Sequence, residues 1–393
     1  MTVKVFSGDN PSQLYMDALV SLLLEGDEVA PRSKKIKELR PAVFEYTNPK
    51  NRVTFLKGRV INPFFQLAES FWILAGRSDV KWLMDYNKSI AQFSDDGVFF
   101  NAPYGERLRY WNKNDVIGFT FSPMDQLYDV YQKIKSDPDT RQAVAIIYNP
   151  IFDHAGRDTK DRPCNIALTF KLRNGKLDLT VYNRSNDLHW GTFGANLCQF
   201  ATIQEVVASW LGVEIGTYYQ ITDSLHIYLE DYGAQETDKV LNAYKMDKDN
   251  LEVNMVPKVK QFVFENEPRF NSSFEDFESI VNYYFSQIDP LFKITMPVMS
   301  TWEQSMVEGV LDRLEKCPDP YLRLTFQAIF VKLSHNRKDT KSVFEGMKRM
   351  ADSSWKVSCL RFLSKSYGDN EEFKSIYSHL DDDIKNYIER KEG

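Results

Sequence analysis

Residues 161–187 predict a β-hairpin whose open end carries side chains that could do chemistry. Cys164 follows Pro163 on the first strand, and Arg184, Ser185 and Asp187 close the second. A thiol beside a hydroxyl, with a guanidinium nearby to favour the thiolate, suits nucleophilic catalysis. The alternative is that Cys164 is a small buried hydrophobic residue and that Arg184 and Asp187 form an ordinary ion pair. The hairpin alone does not decide between these interpretations.

The turn of this hairpin predicts its register. Asn174 and Gly175 both tolerate a positive φ and so predict a two-residue turn. One face of the hairpin would then hold the cross-strand pairs Cys164–Ser185, Ile166–Asn183, Leu168–Val181 and Phe170–Leu179. Most of that face is apolar and only its far end is polar, so we expect a core face that ends in a site. A bulge or a slip of one residue would change the pairing at that end.

Composition restricts the class of protein. The chain has 393 residues, of which 43% are hydrophobic and 14% aromatic, enough for one large or two medium domains. The net charge of −6 disfavours general nucleic-acid binding. The four cysteines lie far apart without a CxxC or a Cys/His cluster, which argues against a metal site and for reduced thiols. With no signal-peptide pattern and no membrane-length apolar stretch, we expect a cytoplasmic protein that does not bind membranes.

The elements around the hairpin follow from periodicity and breakers. Helical spacing is predicted near residues 14–24, 62–87, 124–137 and 195–211, with a buried strand from Ala143 to Tyr148. Residues 214–233 predict a strand that runs into a further helix. Beyond about residue 270 the pattern changes to amphipathic helices, at 274–288, 301–316, 320–335, 341–365 and 371–390. We therefore expect domains over residues 1–270 and 271–393, the second of them helical.

Six segments along the chain, two of them in the hairpin, contain residues that could take part in the same chemistry. They are, in order, "AESFWILAGRSD", "APYGERLR", "DPDTRQ", "RPCNIALTF", "YNRSND" and "LHIY". In this order they resemble thymidylate synthase and its pyrimidine-nucleotide hydroxymethylase relatives. The resemblance covers roughly residues 10 to 265. It implies an α+β fold with a large mixed sheet and packed helices, to which this chain adds a C-terminal helical extension.

The resemblance also implies a reaction. A cysteine adds to carbon 6 of a pyrimidine nucleotide monophosphate, and carbon 5 then attacks the methylene group of 5,10-methylenetetrahydrofolate, the co-substrate. It assigns catalytic roles to Cys164, Glu69, Tyr104 and Asp187, and folate binding to Trp72 and Asp187. It assigns nucleotide binding to Arg32, Arg141, Arg184, Ser185, Asn165, Asn196, His226 and Tyr228, the arginines on the phosphate and the last two on the sugar. No metal is expected.

Three departures from the family pattern bear on the product. Asn165 stands where a histidine usually follows the nucleophile, and Asn196 lies one place later than the residue that reads the base. No aspartate occurs between His189 and Glu205, and cytosine-specific members have one there, so we expect uracil. The long helical tail resembles that of phage-type hydroxymethylases rather than a synthase.

These departures favour a deoxyuridylate hydroxymethylase, in which water attacks the exocyclic methylene group. The alternatives are a thymidylate synthase, then a cytidylate or deoxycytidylate hydroxymethylase, and lastly an idle family member that acts as an interaction protein. The retained Cys164 and Glu69 argue against the last. The family's arginine loop, matched by Arg141 with Gln142 replacing a second arginine, further implies a homodimer that shares its phosphate sites.

Overall fold

The computed structural model describes residues 2–111, 123–252, 254, 256–295 and 304–390. By their internal contacts, the residues divide into two compact units. The first comprises Met1–Ile61, Trp72–Val80 and Gln92–Gln261, and the second comprises Asn62–Phe71, Lys81–Ala91 and Phe262–Gly393. The predicted boundary at residue 270 stays a prediction.

Two mixed sheets form the centre of the first unit. The larger has the strand order β1-β4-β9-β7-β6-β5 and the smaller β2-β3-β10-β8. The strands are β1 Lys4–Gly8, β2 Asp27–Val29, β3 Ile36–Leu39, β4 Ala42–Tyr46, β5 Val144–Ile146, β6 Asn165–Arg173, β7 Lys176–Asn183, β8 Asn186–Asp187, β9 Glu214–Thr222 and β10 Leu225–Tyr228. The expected α+β fold with a large mixed sheet is confirmed.

Helices alternate with these strands along residues 11–243. They are α1 Pro11–Glu25, α2 Pro63–Leu74, α3 Val80–Met84, α4 Tyr104–Arg109, α5 Gln126–Ser136, the π-helix Leu188–Asn196, α6 Leu197–Leu211 and α7 Asp231–Ala243. The buried helix α6 ends at Gly212, whose φ of 66° is a left-handed conformation that glycine adopts at little cost. The first nine residues of α2 belong to the second unit.

The described residues after 261 form helices and no strand. These are α8 Phe274–Tyr283, a second π-helix Tyr284–Ile288, α9 Asp289–Thr295, α10 Gln304–Glu315, α11 Pro320–Asn336, α12 Thr340–Arg349, α13 Ser354–Tyr367, α14 Glu371–Ser375 and α15 Asp382–Glu389. The expected helical tail is confirmed. The segment expected to be helical over 341–365 is two helices, since Ser353 caps a new one by accepting from the Lys356 N–H.

The β6–β7 hairpin has the predicted turn but not the whole predicted register. Asn174 and Gly175 have φ values of 51° and 73°, and Leu168–Val181 and Phe170–Leu179 pair as expected. Between Asn165 and Ala167 the register shifts by one residue, so Asn165 rather than Ile166 lies opposite Asn183. The predicted pair Ile166–Asn183 is therefore wrong. A bulge at Ile166 leaves that side chain 36% exposed.

Two other strand predictions are also corrected. Residues 214–228 form two strands in different sheets, and Asp223 and Ser224 separate them by bonding to Asn183 O and Asn186 N. The strand expected over 143–148 covers only Val144–Ile146 at the edge of the large sheet, where Val144 and Ile146 are exposed.

Candidate active site

Arg184 ties the end of β7 to the segment that carries Cys164. The Arg184 N–H donates to Cys164 O at 3.0 Å, and its Nε donates to Pro163 O at 2.9 Å. Because the bulge shifts the pairing, Arg184 and not Ser185 is bonded across from Cys164, and the predicted Cys164–Ser185 pair is wrong. The guanidinium Nη2 lies 3.9 Å from the Cys164 Sγ. Cys164 is half-buried, whereas the other three cysteines are buried.

The electrostatics of the thiol differ from the sequence expectation. Burial raises the pKa of the Cys164 thiol and outweighs the opposite effect of Arg184 and of Arg32. Asp161 and Asp187 raise it further. The two guanidinium groups therefore limit the rise without making the free thiol acidic, and at neutral pH the chain carries a protonated Cys164.

A chain of hydrogen bonds links Cys164 to the inner face of the sheet. The Tyr104 hydroxyl, at the start of α4, accepts from the Cys164 N–H at 3.3 Å and from Asn165 Nδ2 at 3.0 Å. Asn165 Nδ2 also lies 3.3 Å from Asn196 Oδ1, and Asn196 Nδ2 donates to Asn186 Oδ1 at 3.1 Å. Burial raises the pKa of Tyr104 well above its usual range. Tyr104 thus contacts both Cys164 and Asn165, and Asn165 contacts Asn196.

The π-helix accounts for the late position of Asn196. A π-helix closes its hydrogen bonds over five residues and so holds one residue more than an α-helical turn. Asp187 begins it, with Oδ1 accepting from the N–H groups of His189 and Trp190 at 2.6 and 3.3 Å. Asn196 is its last residue. The extra residue is taken up in the helix, and Asn196 still contacts Asn165.

Strand β10 carries the two residues expected at the sugar. His226 pairs with Asp187 in a parallel register, and its Nδ1–H donates to Ser224 O at 3.3 Å. The rings of His226 and Tyr228 meet edge to face at 5.4 Å. Arg32, with a φ of 53°, lies close enough to the Tyr228 hydroxyl to lower its pKa in part. Burial raises the pKa of both Asp187 and Tyr228, and His226 lowers that of Asp187 in part.

Four of the sequence-predicted residues are not joined to this cluster by a described contact. Glu69 is half-buried on α2, in the part of that helix that belongs to the second unit. Trp72 is buried, and its Nε1 donates to Asp79 O at 3.1 Å. Arg141 is exposed in the loop between α5 and β5, and Ser185 is half-buried beside Arg184. Their roles stay predictions.

A buried polar cluster packs against the π-helix. None of its residues was predicted from the sequence. His189 is fully buried, with Nδ1 2.8 Å from the Tyr15 hydroxyl and Nε2 3.1 Å from Thr237 Oγ1. Arg59 Nη2 donates to His189 O, and Arg59 forms an ion pair with Glu236. Burial, followed by Arg59, lowers the pKa of His189 to about 3. No local motif in the sequence marks these partners, which come from three distant segments.

Asp161 also lies at the site and was not predicted from the sequence. It precedes Cys164 by three residues and is half-buried, with Oδ2 accepting from the Ala102 N–H at 2.7 Å. The only available sequence signal was its place in "DRPC".

Within the described residues, no group of three or more His, Cys, Asp or Glu side chains is arranged to hold a metal ion. Among the helices formed by those residues, none is both long enough and apolar enough to span a bilayer.

Related sequences of known proteins identify the family of this chain. The family model for thymidylate synthase matches residues 13–298. A deoxyuridylate hydroxymethyltransferase of Bacillus phage SP01 is 54% identical over 389 residues, which cover 98% of this chain and 99% of the relative. Proteins of the same name from Pseudomonas phage M6 and Delftia phage PhiW-14 are 36% and 32% identical, over 58% and 48% of this chain and 62% and 52% of the relatives. The chain belongs to the thymidylate synthase family.

Proposed function

We propose that the chain is a deoxyuridylate hydroxymethyltransferase. It transfers the one-carbon unit of 5,10-methylenetetrahydrofolate to carbon 5 of dUMP, and water completes the hydroxymethyl group. The observation that carries this proposal is the 54% identity, over 98% of the chain, to a phage protein of that name. Because these three relatives come from phages, we also propose that the chain acts in the cytoplasm of a host cell.

Cys164 is the nucleophile in this mechanism. Its pKa is raised, so the thiol must give up a proton as sulfur attacks carbon 6 of the base. Arg184 and Arg32, both close enough to lower the pKa of that thiol, bind the 5′-phosphate, for which guanidinium groups are suited. Ser185 adds a hydroxyl beside Arg184.

Tyr104 and Glu69 handle protons in the proposed reaction. The Tyr104 hydroxyl, which contacts both the Cys164 and Asn165 nitrogens, assists removal of the carbon 5 proton. Its raised pKa keeps it a neutral phenol that relays protons rather than a phenolate. Glu69 acts on the base through water.

The amides of Asn165 and Asn196 support uracil as the base. An amide offers both a donor and an acceptor, which matches the N3–H and O4 of uracil. The described part of the π-helix and α6 presents no carboxylate next to Asn165, such as an aspartate that would accept from the cytosine amino group. Nε2 of His226 and the Tyr228 hydroxyl bind the sugar 3′-hydroxyl, since both lie on β10 beside Arg32.

The folate supplies a methylene group at the formaldehyde oxidation level. Asp187 suits its pterin ring, because Oδ1 already accepts two backbone N–H groups and no described donor occupies Oδ2. Trp72 is the second residue that we propose at the folate, and its burial would limit contact to its ring edge.

The open face of the large sheet supports a homodimer. The paired residues Ile146, Ala167, Tyr182, Ile221, Val43 and Val5 form an apolar row across all six strands. Ile146, Tyr182 and Val5 are 45, 38 and 61% exposed. A second copy of the chain is the proposed occupant, because an isologous contact would match this row with itself. Arg141, exposed beside β5 at the edge of the same sheet, would reach the partner's phosphate site.

Product analysis tests the proposal. The chain is incubated with methylenetetrahydrofolate and either dUMP or dCMP, and both products are identified by mass spectrometry, with Cys164→Ala as the inactive control. We expect 5-hydroxymethyl-dUMP and tetrahydrofolate from dUMP and little reaction with dCMP. Formation of dTMP and dihydrofolate would instead identify a synthase, and no turnover of either nucleotide would favour an idle family member.

A further inference from the structure

Asp161 is a carboxylate next to the nucleophile with no role in the mechanism above. Its Oδ2 accepts from the Ala102 N–H at 2.7 Å, and its backbone oxygen accepts from Asn101 Nδ2 at 3.1 Å. Both bonds tie Asp161 to the loop that leads directly into Tyr104. No described group donates to Oδ1, which is therefore free to bind a water or a substrate.

The segment between Asp161 and Cys164 is held on its other side by Arg184. Arg184 donates to Pro163 O and to Arg162 O, at 2.9 and 3.3 Å. The Tyr104 hydroxyl in turn contacts the Cys164 N–H. Asp161 is thereby fixed where its charge acts on both the Cys164 thiol and the Tyr104 hydroxyl, the groups that serve carbons 6 and 5 of the base.

We propose that Asp161 is the general base that takes the proton of the water that attacks the exocyclic methylene group. The proposal rests on the proposed function, since only a hydroxymethylase needs such a step. A general base near the methylene carbon also explains why a carboxylate occurs at this half-buried position, where an apolar residue could fill the same space without a desolvation cost.

After tetrahydrofolate leaves, the nucleotide carries a C6–S bond to Cys164 and an exocyclic C5=CH2 group conjugated with C4=O. The water oxygen bonds to that CH2, its proton passes to Asp161 Oδ1, and the electron pair of C5=CH2 moves to the enolate oxygen O4. The enolate then re-forms C5=C6 and expels the Cys164 sulfur, which takes up a proton. Nothing is oxidised or reduced.

The surroundings of Asp161 are those of a stronger base than an ordinary aspartate. Burial raises its pKa, and the Ala102 N–H and Arg107 oppose this in part. The charged or titratable groups that act on it are Arg107, Asp153, Asp95, Cys164 and Tyr104. Since the base must be deprotonated, hydroxymethylation falls as pH falls through the pKa of Asp161, and that acidic limb lies at higher pH than an exposed aspartate would give.

Asp161→Asn tests the proposal because the amide oxygen still accepts from the Ala102 N–H but cannot take a proton. We expect 5-hydroxymethyl-dUMP formation to fall by about 100-fold or more, with the acidic limb lost. In a single turnover, the release of tritium from 5-tritiated dUMP, which precedes the water step, should stay within about threefold of the wild-type rate. Added 2-mercaptoethanol, whose thiolate needs no base, should restore turnover to a 5-thioether product. Asp161→Glu should retain part of the product formation. Asp158→Asn, a change at an exposed residue of the same loop, should leave product formation unchanged.

Two results would overturn the role of Asp161. One is product formation by Asp161→Asn at close to the wild-type rate. The other is an equal loss of product formation and of single-turnover tritium release, which would indicate a structural role in the Tyr104 loop. Failure of the proposed function is seen separately, as dTMP formation by the wild-type chain.

Discussion

The protonation state of Cys164 determines how the proposed reaction can begin. Burial raises the pKa of the thiol despite two guanidinium groups, so attack on the base needs a proton acceptor or substrate binding to start it. The Tyr104 hydroxyl, which accepts from the Cys164 N–H and from Asn165 Nδ2, can relay that proton. Reactivity at this site thus comes from the group of residues and not from an acidic cysteine.

The hydroxyl of Tyr104 can be removed without changing the packing of its ring. We expect Tyr104→Phe to slow tritium release from 5-tritiated dUMP by about 100-fold or more, because proton removal from carbon 5 loses its relay. Adduct formation with 5-fluoro-dUMP and the folate should persist, since fluorine replaces the proton. Tyr128→Phe, a change of an exposed tyrosine, is the matched control. Undiminished tritium release would exclude a role for the hydroxyl.

Asn196 is expected to decide which base is accepted. Asn196→Asp replaces the amide by a carboxylate that accepts from the cytosine amino group and repels O4 of uracil. We expect kcat/KM for dCMP to rise relative to that for dUMP by about tenfold or more, measured by competition between the two nucleotides. Asn242→Asp, at an exposed position on α7, serves as the control. An unchanged ratio would mean that Asn196 does not contact the base.

Two irregular elements, the bulge at Ile166 and the π-helix, position these residues. The hairpin turn and the apolar pairs were predictable, because Asn-Gly and alternation are local signals. The bulge at Ile166 was not, since it depends on how β6 joins its neighbours, and it moved Arg184 opposite Cys164. In the sequence, Asn196 lies one residue later than the family position that reads the base. The π-helix that resolves this depends on buried partners in α1, the segment at Arg59 and α7.

The buried His189 makes the support of the π-helix sensitive to acid. Its pKa is about 3 in the folded chain, below its usual value of 6.5, so the unfolded chain binds one proton more between these pH values. The stability from a neutral His189 is complete above pH 6.5 and is lost as pH falls toward 3, by up to about 1.4 kcal/mol per pH unit. We expect His189→Gln to show a shallower decline in urea-unfolding free energy than wild type. His154→Gln, at an exposed histidine, should leave the slope unchanged, and equal slopes in all three would contradict this role.

The whole molecule combines a family catalytic unit with a helical unit. The presence of both units was predictable from the sequence, because the order of the motifs and the change to helical periodicity each extend over many residues. The assignment of residues 62–71 and 81–91 to the second unit was not, because it depends on contacts with helices far along the chain, such as Phe71 with Tyr284 and Trp82 with Asp289.

A shared phosphate site can be tested by mixing two inactive subunits. Arg141→Ala and Cys164→Ala chains are mixed under conditions that allow exchange. If Arg141 serves the partner's site, each heterodimer has one intact site, and random exchange should restore about a quarter of wild-type activity. Cys164→Ala mixed with Tyr104→Phe is the control and should restore none, because both residues belong to one subunit's site. Confirmed heterodimers without activity, or a monomeric protein at assay concentration, would rule out the sharing.

The origin of the product oxygen tests the central claim most directly. Turnover of dUMP with methylenetetrahydrofolate is carried out in water enriched in oxygen-18, and the nucleotide product is analysed by mass spectrometry. If water is the final nucleophile, the product is 5-hydroxymethyl-dUMP with one oxygen-18 on the exocyclic carbon, and the folate is recovered as tetrahydrofolate. A product that carries a methyl group without the label, together with dihydrofolate, would contradict the account.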